Sequence, residues 1–387
     1  MYDERTCRYA LNRIFGFRPA AAHALIGHFG SAAGVFSADR HSLPPGMADL
    51  FTGNGGISDR SYEEAHAGLQ SVEQSGTRFV CDNEPGYPGL LRECADRPVG
   101  IFVRSRSPVT DIFPDDRIFV AVVGTRDISL YGQEWCRKLV GAIADSGEAV
   151  TVVSGLAIGT DITAHRTALE KGIPTVAVMP TGPDAVYPYR HRKDAADIES
   201  SPGSALVTDY PPGTAPLPIN FMRRNRIIAG LSKATVLIES RIRGGGMMTA
   251  RLAFSYNRDV LALPGRIDDE RSAGCNLLLR ERIADPVISC ASLTDSLGLH
   301  RSAPQEKEST DDRKEIGKKY ASRLCGEDLD RISEILLTIR GNRGTDIESI
   351  AETCGMSYRK ALELTMLLEA DGMISVDLMQ RCTIKIK

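Results

Sequence analysis

Three glycine-bearing segments, each directly after a β-branched run, carry the chemistry this chain has to offer. They are Gly124-Thr125-Arg126, the stretch from Ser154-Gly155 to Gly159, and Arg243-Gly244-Gly245-Gly246 with Thr249 in the following turn. Glycine lets a backbone approach a ligand closely, and free N–H groups at a helix start favour an anion. Arg126 and Arg243 add positive charge, so the three segments together predict a phosphate site. A fourth segment, Asn220-Phe221-Met222-Arg223-Arg224-Asn225-Arg226, opens a predicted helix with three arginines and no acid. Between residues 219 and 251 there are seven basic residues and one acid, Glu239, in a chain whose formal net charge is −3. A solvated helix face intersperses both signs. A one-signed face fits an extended polyanion better than a single nucleotide.

The usual phosphate enzymes fit this pattern poorly. The chain has no G-x-x-x-x-G-K-[ST] and no G-x-G-x-x-G after its first long strand. Of seven histidines, only His165 lies near a glycine segment, and its place inside a helix reads as packing. Asp161 stands in the first turn of the same helix. There it complements the helix dipole or meets a ribose hydroxyl. No nucleophile–base pair and no carboxylate cluster with metal spacing appears, so neither a catalytic group nor a cofactor is expected. Phe221, Tyr187, Tyr189 and Tyr210 offer rings near the basic cluster, with Arg190 and Arg192 beside two of them. Base stacking on such rings turns a phosphate groove into a single-strand binder.

On a helix advancing ~100° per residue, Arg223, Arg226, Gly230 and Lys233 share one side. Phe221, Ile228 and Leu231 share another, and Arg224 lies nearer the apolar side, where a structural ion pair or a reach around an edge is expected.

These segments need a scaffold that brings strand ends to one edge. Strands are predicted at 117–124, 149–155, 174–180, 205–210, 234–240 and 259–265. Helices are predicted at 130–145, 161–171, 219–231 and 247–256, and near 190–199. Strands apolar on both faces and separated by helices predict a doubly wound α/β domain with a mostly parallel sheet. Ligands of such sheets bind beyond the carboxyl ends of the strands.

The rest of the chain divides by composition. Residues 1–76 read as a small helical domain of the SAM or helix–hairpin–helix kind, in which packing is the preferred role of the hairpin "IGHFGS". Residues 77–300 hold the α/β domain, and 301–328 are a charged linker. Residues 329–387 read as helix, helix–turn–helix and two strands, the order of a winged helix, with Ser357 as an N-cap. Its second helix carries Arg359 and Lys360 against several acids, so protein contact is as good a reading as DNA contact. Nine scattered cysteines with no C-x-x-C pair fit free thiols in a reducing compartment. No apolar stretch reaches the ~18 residues of a membrane span, and a cytoplasmic location is expected.

Five motifs occur here in one order: "VAVVGTR", "SGLAIGTDITAH", "NFMRRNRIIAGLS", "VLIES" with "GGGMMTARLA", and "VLALPGRIDDERSAGCNLLLRE". This set resembles the DNA-processing protein family DprA, also called Smf, over about 83–289. The resemblance implies an extended Rossmann-like domain without known catalysis. It also implies binding and protection of single-stranded DNA, loading of a RecA-type recombinase during natural transformation, and a homodimer formed through that domain. It places Arg126 on backbone phosphate, Ser154 and Gly155 in the same pocket, and Asn220–Arg226 on the opposite wall with Phe221 stacked on a base. The chain departs from the family at Arg243-Gly244-Gly245-Gly246, where Lys-Ser-Gly-Ser is frequent. It also departs at Ile158 and at Met222, where a basic or small polar residue and a proline are frequent. The alternative is a nucleotide-binding enzyme of the phosphoribohydrolase type, which uses similar glycine loops. Such enzymes place a glutamate shortly after the loop, and "GGGMMTARLAF" has none.

Overall fold

The computed structural model describes residues 2–16, 18–38, 56–299, 320, 326–341, 345–377 and 380–384. The chain divides into two compact units, Met1–Ser302 and Ala303–Lys387.

The first unit is built on a nine-stranded sheet of order β1-β2-β6-β5-β4-β3-β7-β8-β9. Strands β3 (Ile118–Val123), β4 (Val150–Ser154), β5 (Thr175–Val178), β6 (Ala205–Thr208), β7 (Ala234–Leu237), β8 (Asp259–Ala262) and β9 (Asp285–Pro286) run parallel. Two strands unread from the sequence, β1 (Arg78–Cys81) and β2 (Gly100–Arg104), extend one edge in antiparallel pairing. The six predicted strands and five predicted helices all form, most shortened by a few residues at their ends.

Alternation along β3 explains its unbroken apolar run. Val120 and Val122 face one core with Leu139, Val140 and Ala164 from the helices Leu130–Ala144 and Thr160–Glu170. Ala121 and Val123 face the other core, with Ile227, Ile228 and Ala250 from Pro218–Leu231 and Gly245–Ser255. Both faces are dry, so neither set can be polar. The strands wind outward from β3 in both directions. The topological reversal therefore lies between β3 and β7.

The helices Glu4–Phe15, Pro19–Phe29, Ala32–Ser37 and Asp59–Gln74 belong to the same unit as the sheet. Tyr9 packs edge-on against Phe79 of β1 at 5.1 Å. Arg8 pairs with Asp82, and the Asn12 side-chain amide donates to the Asp209 carbonyl at 2.9 Å. The change of composition near residue 76 thus marks a change of element type within one packed body. At the hairpin, Gly30 is left-handed (φ 76°) and Ser31 caps the next helix. The amides of Ala32 and Ala33, which a hairpin of this kind would offer to phosphate, donate to the Glu4 carboxylate at 3.1 and 2.8 Å.

The second unit contains the helix Gly326–Gly341, β10 (Thr345–Asp346), the helices Ile347–Thr353 and Tyr358–Ala370, then β11 (Ile374–Val376) and β12 (Arg381–Ile384). The strands form an antiparallel sheet of order β10-β12-β11. Ser357 caps its helix as expected, accepting from the Lys360 N–H at 3.3 Å. The Lys360 ammonium is taken up by Asp328 at 3.1 Å. Of the predicted linker, 301–319 and 321–325 lie outside the described residues. Its last three residues are helical, and Tyr320 is buried with its hydroxyl 3.4 Å from Met373 Sδ. Among the described residues no helix is long and apolar enough to cross a membrane.

Candidate nucleic-acid interface

The carboxyl ends of β3 and β7 frame a cleft of about 540 Å³ at the reversal point. Three connections hold its walls. The Thr125 N–H donates to the Glu239 carbonyl at 2.7 Å, joining the loop after β3 to the loop after β7. The Glu239 carboxylate, 1% exposed, accepts from the Ser129 N–H at 2.9 Å and from the Ser129 hydroxyl at 2.5 Å. Ser129 in turn caps the helix Leu130–Ala144. On the other side, Gly159 has φ 84°, and a Cβ there would lie 2.4 Å from the Thr125 carbonyl oxygen. The loop after β4 therefore closes against the loop after β3 only with glycine at that position.

Of the sequence-predicted residues, the structure brings Gly124, Thr125, Arg126, Phe221, Arg224, Asn225, Gly244, Gly245 and Thr249 to this cleft. Arg126 is exposed at the mouth, with its guanidinium 4.8 Å from the centre of the Phe221 ring. Tyr187 meets the same ring edge-on at 5.4 Å. A cation and two rings thus stand together at the rim, with cation–π attraction holding Arg126 in place. The Asn225 side-chain amide reaches the Gly245 carbonyl at 3.4 Å, linking the arginine-bearing helix to the glycine loop.

Arg224 lies below, 3% exposed, and its guanidinium bonds the Val178 carbonyl. It fills the space a side chain at residue 155 would need, since a Cβ on Gly155 would fall 2.2 Å from Nη1. Burial pulls Arg224 down to about 10, with Asp161 opposing that shift. Asp161 lines the cleft at 8% exposure. Burial pushes its carboxyl above the usual range, while Arg224, the Ala157 N–H, Ser154 and Arg126 pull it back. His165 is fully buried and bonded through Nδ1 to the Thr175 hydroxyl at 2.7 Å. Burial holds it near 3, so it stays neutral as a packing residue.

Several expected contacts are corrected by burial. Arg226 is 9% exposed, ion-paired with Asp209 and bonded to the Asp96 carbonyl at 2.5 Å. The helix side it shares with Gly230 is covered by the 89–96 segment, where Gly230 meets Leu91 and Cys94. Ser154 donates to the Val122 carbonyl at 2.6 Å inside the sheet, and Gly155 is buried beneath Arg224. Asn220 is buried and donates to the Ala215 carbonyl at 3.0 Å, bracing the loop before its helix. Arg223 and Arg243 do not line the cleft. Gly159 lines an adjoining hollow of about 420 Å³, which shares Arg126 with the first and adds Arg137, Arg166 and Arg190. Tyr210 is buried with its hydroxyl toward the Asn220 carbonyl.

Met222, inside the predicted Asn220–Arg226 wall, lines the cleft too, as do Ser240, Arg241 and the prolines Pro216 and Pro218, which were not named as site residues from the sequence. Arg241 stands two residues before Arg243, and its place in the loop after β7 was the available signal.

The sequence profile of the family described as DNA recombination-mediator protein A matches residues 78–298, more than half of the chain. The chain belongs to this family. The matched span holds β1 to β9 and every residue that lines the cleft. Protein Smf of Escherichia coli (strain K12) is 31% identical over 307 residues, covering 79% of this chain and 76% of that protein. The DNA processing protein DprA of Streptococcus pneumoniae is 37% identical over 195 residues, 50% of this chain and 66% of that one. An X-ray structure of DprA from Streptococcus pneumoniae superposes with a TM-score of 0.60 at 27% identity, covering 76% of this chain and 98% of that chain. A Helicobacter pylori DNA processing protein A, solved for its single-stranded DNA binding mode, gives 0.50 at 26% identity, covering 57% and 95%.

Two substitutions test how this family member holds its cleft. Arg226→Ala strands Asp209 and is expected to lower the unfolding free energy by ~3–5 kcal/mol in urea titration. Glu239→Ala unpairs Ser129 and is expected to lower it by ~1–3 kcal/mol. Hydrogen exchange should then rise at Thr125 and Ser129 in the Glu239 variant and stay unchanged there in the Arg226 variant.

Proposed function

We propose that this cleft holds single-stranded DNA, and that the protein protects the strand and passes it to a RecA-type recombinase during natural transformation. One observation carries the reading: Arg126 lies over Phe221, with Tyr187 against the same ring, at the mouth of a cleft walled by glycine loops. Guanidinium groups neutralise phosphates and release counterions, while rings accept any base face. Such a site binds flexible strands with little sequence preference. A stiff duplex keeps its bases stacked and cannot offer them to the rings. The single-strand binding named for the Helicobacter pylori relative, and the family's description as a recombination mediator, support the same reading.

The reading requires no bond to be made or broken, so we infer a binding protein. We also infer a cytoplasmic location and a homodimer formed through the Rossmann-like domain. The C-terminal unit has a helix–strand–helix–helix–strand–strand order, which supports a winged-helix module. Lys360, in the first turn of the helix Tyr358–Ala370, is paired with an acid of its own unit, which favours a protein contact over base reading.

Fluorescence anisotropy with oligothymidine and with duplex of equal length, at two salt concentrations, tests this reading. The single strand is expected to bind tighter. Arg126→Ala should weaken it and reduce the salt slope by about 0.7. Phe221→Ala should cost ~1–3 kcal/mol of binding. Equal affinity for duplex, or an unchanged slope in the Arg126 variant, would reject the proposal.

A further inference from the structure

The hollow beside the cleft has a chemistry of its own. Arg137 of the helix Leu130–Ala144, Arg190 and the shared Arg126 are exposed where they line it. Arg137 and Arg190 enter no ion pair among the described residues. Arg166 lines it too, but Asp194 holds that guanidinium at 2.6 and 3.0 Å. Of the two lining acids, Asp127 is paired with Arg271 at 3.2 Å, which leaves Glu170 against three guanidiniums. Three isoleucines share the lining: Ile128 and Ile158 are half-buried, and Ile162 is 7% exposed.

Two features separate this hollow from a continuation of the strand site. Among the described residues no aromatic ring lines it, so a base finds no stacking partner there. Its small polar groups are also committed elsewhere. The Thr163 and Thr167 hydroxyls donate to the Gly159 and Thr163 carbonyls, each at 2.8 Å. The amides of Thr160, Ile162 and Thr163, at the start of the same helix, donate to the carbonyls of Thr125, Ala157 and Gly159. A helix start with its amides taken offers phosphate no cradle. What remains is guanidinium forks and aliphatic carbon. The forks match carboxylates in paired geometry, and the carbon gains by covering an aliphatic side chain. We propose that this hollow docks an acidic peptide segment of a partner protein. Its carboxylates meet Arg137 and Arg190, and one aliphatic side chain packs on the isoleucines. Arg126 lines both cavities. Resting on the single-strand reading for this step alone, the docked peptide and the strand compete for it, so a partner engaged here loosens the strand in the cleft.

The test uses the full chain and a fluorescein-labelled peptide of aspartates around one leucine, read by anisotropy. The peptide is expected to bind. Analogues with asparagine for aspartate, or serine for leucine, are each expected to bind about tenfold more weakly. Arg137→Glu and Arg190→Glu should each weaken the aspartate peptide by about tenfold through like-charge contact. Both residues are exposed, so these variants keep the fold. Ile158→Ser should abolish the preference for leucine over serine. Unlabelled oligothymidine should displace the peptide from the wild type and not from Arg126→Ala, which keeps Arg137 and Arg190 for the peptide. No peptide binding, binding indifferent to leucine, or binding unchanged in both glutamate variants overturns the inference. So does a salt slope for oligothymidine lower by about 0.7 in Arg137→Ala, which would mark the hollow as part of the strand path. If the peptide binds as expected and oligothymidine does not bind at all, the single-strand reading fails and the docking stands. If both bind without competing, the docking stands and the shared use of Arg126 is overturned.

Discussion

One backbone hydrogen bond sits at the centre of this molecule: the Thr125 N–H to the Glu239 carbonyl. It joins the two loops that leave β3 and β7 at the point where the sheet reverses. Without it, the carboxyl ends of the strands would form an open edge with no fixed cleft. The Glu239 side chain strengthens the same junction by accepting twice from Ser129. The only acid in a stretch of seven basic residues is therefore turned inward. It organises the loop that carries Arg126 and leaves the mouth positive.

Burial then decides which cations serve the fold and which face a ligand. Arg226 and Asp209 form a pair with almost no solvent, and losing either member would strand the other. Arg224 is also desolvated, yet it sits at the cleft floor with Asp161 nearby, so it shapes the site from below. Arg241 pairs with Glu270 at 3.2 Å, but both are well exposed. Such a pair is weak and screened by salt, and a phosphate can exchange for the glutamate at little cost.

Much of this was legible in the sequence. The two-sided apolar runs of β3, β4 and β7 gave the sheet and its winding, and glycines after those strands marked the edge where the cleft lies. Arg126, Phe221 and the glycine loop at Gly244-Gly245 were read correctly as neighbours. Arg226 was not, because a helical wheel says which residues share a side and not which side is covered. The cover comes from the 89–96 segment, between two antiparallel strands that the proline- and glycine-rich sequence around them concealed. Ser154 was misplaced for a related reason. The last residue of a buried strand is still inside the sheet, and its hydroxyl bonds the Val122 carbonyl in the adjacent strand.

Under the proposed reading, the seven basic residues between 219 and 251 also explain how a chain of net charge −3 meets a polyanion. Arg226 is spent within the fold, Lys233 on the Leu297 carbonyl at 3.3 Å, and Arg251 on Glu281 at 2.8 Å. Of the seven, Arg241 lines the cleft and Arg243 is exposed on the loop beside it, and Arg126 from the loop after β3 joins them at the mouth. Fields from a few surface charges fade over ~8 Å at physiological salt. A strand is therefore not drawn from afar, and it senses the cleft only on near contact. On that reading, a single strand is selected by contact at the mouth, where Arg126 and the Phe221 and Tyr187 rings stand together, and not by long-range charge.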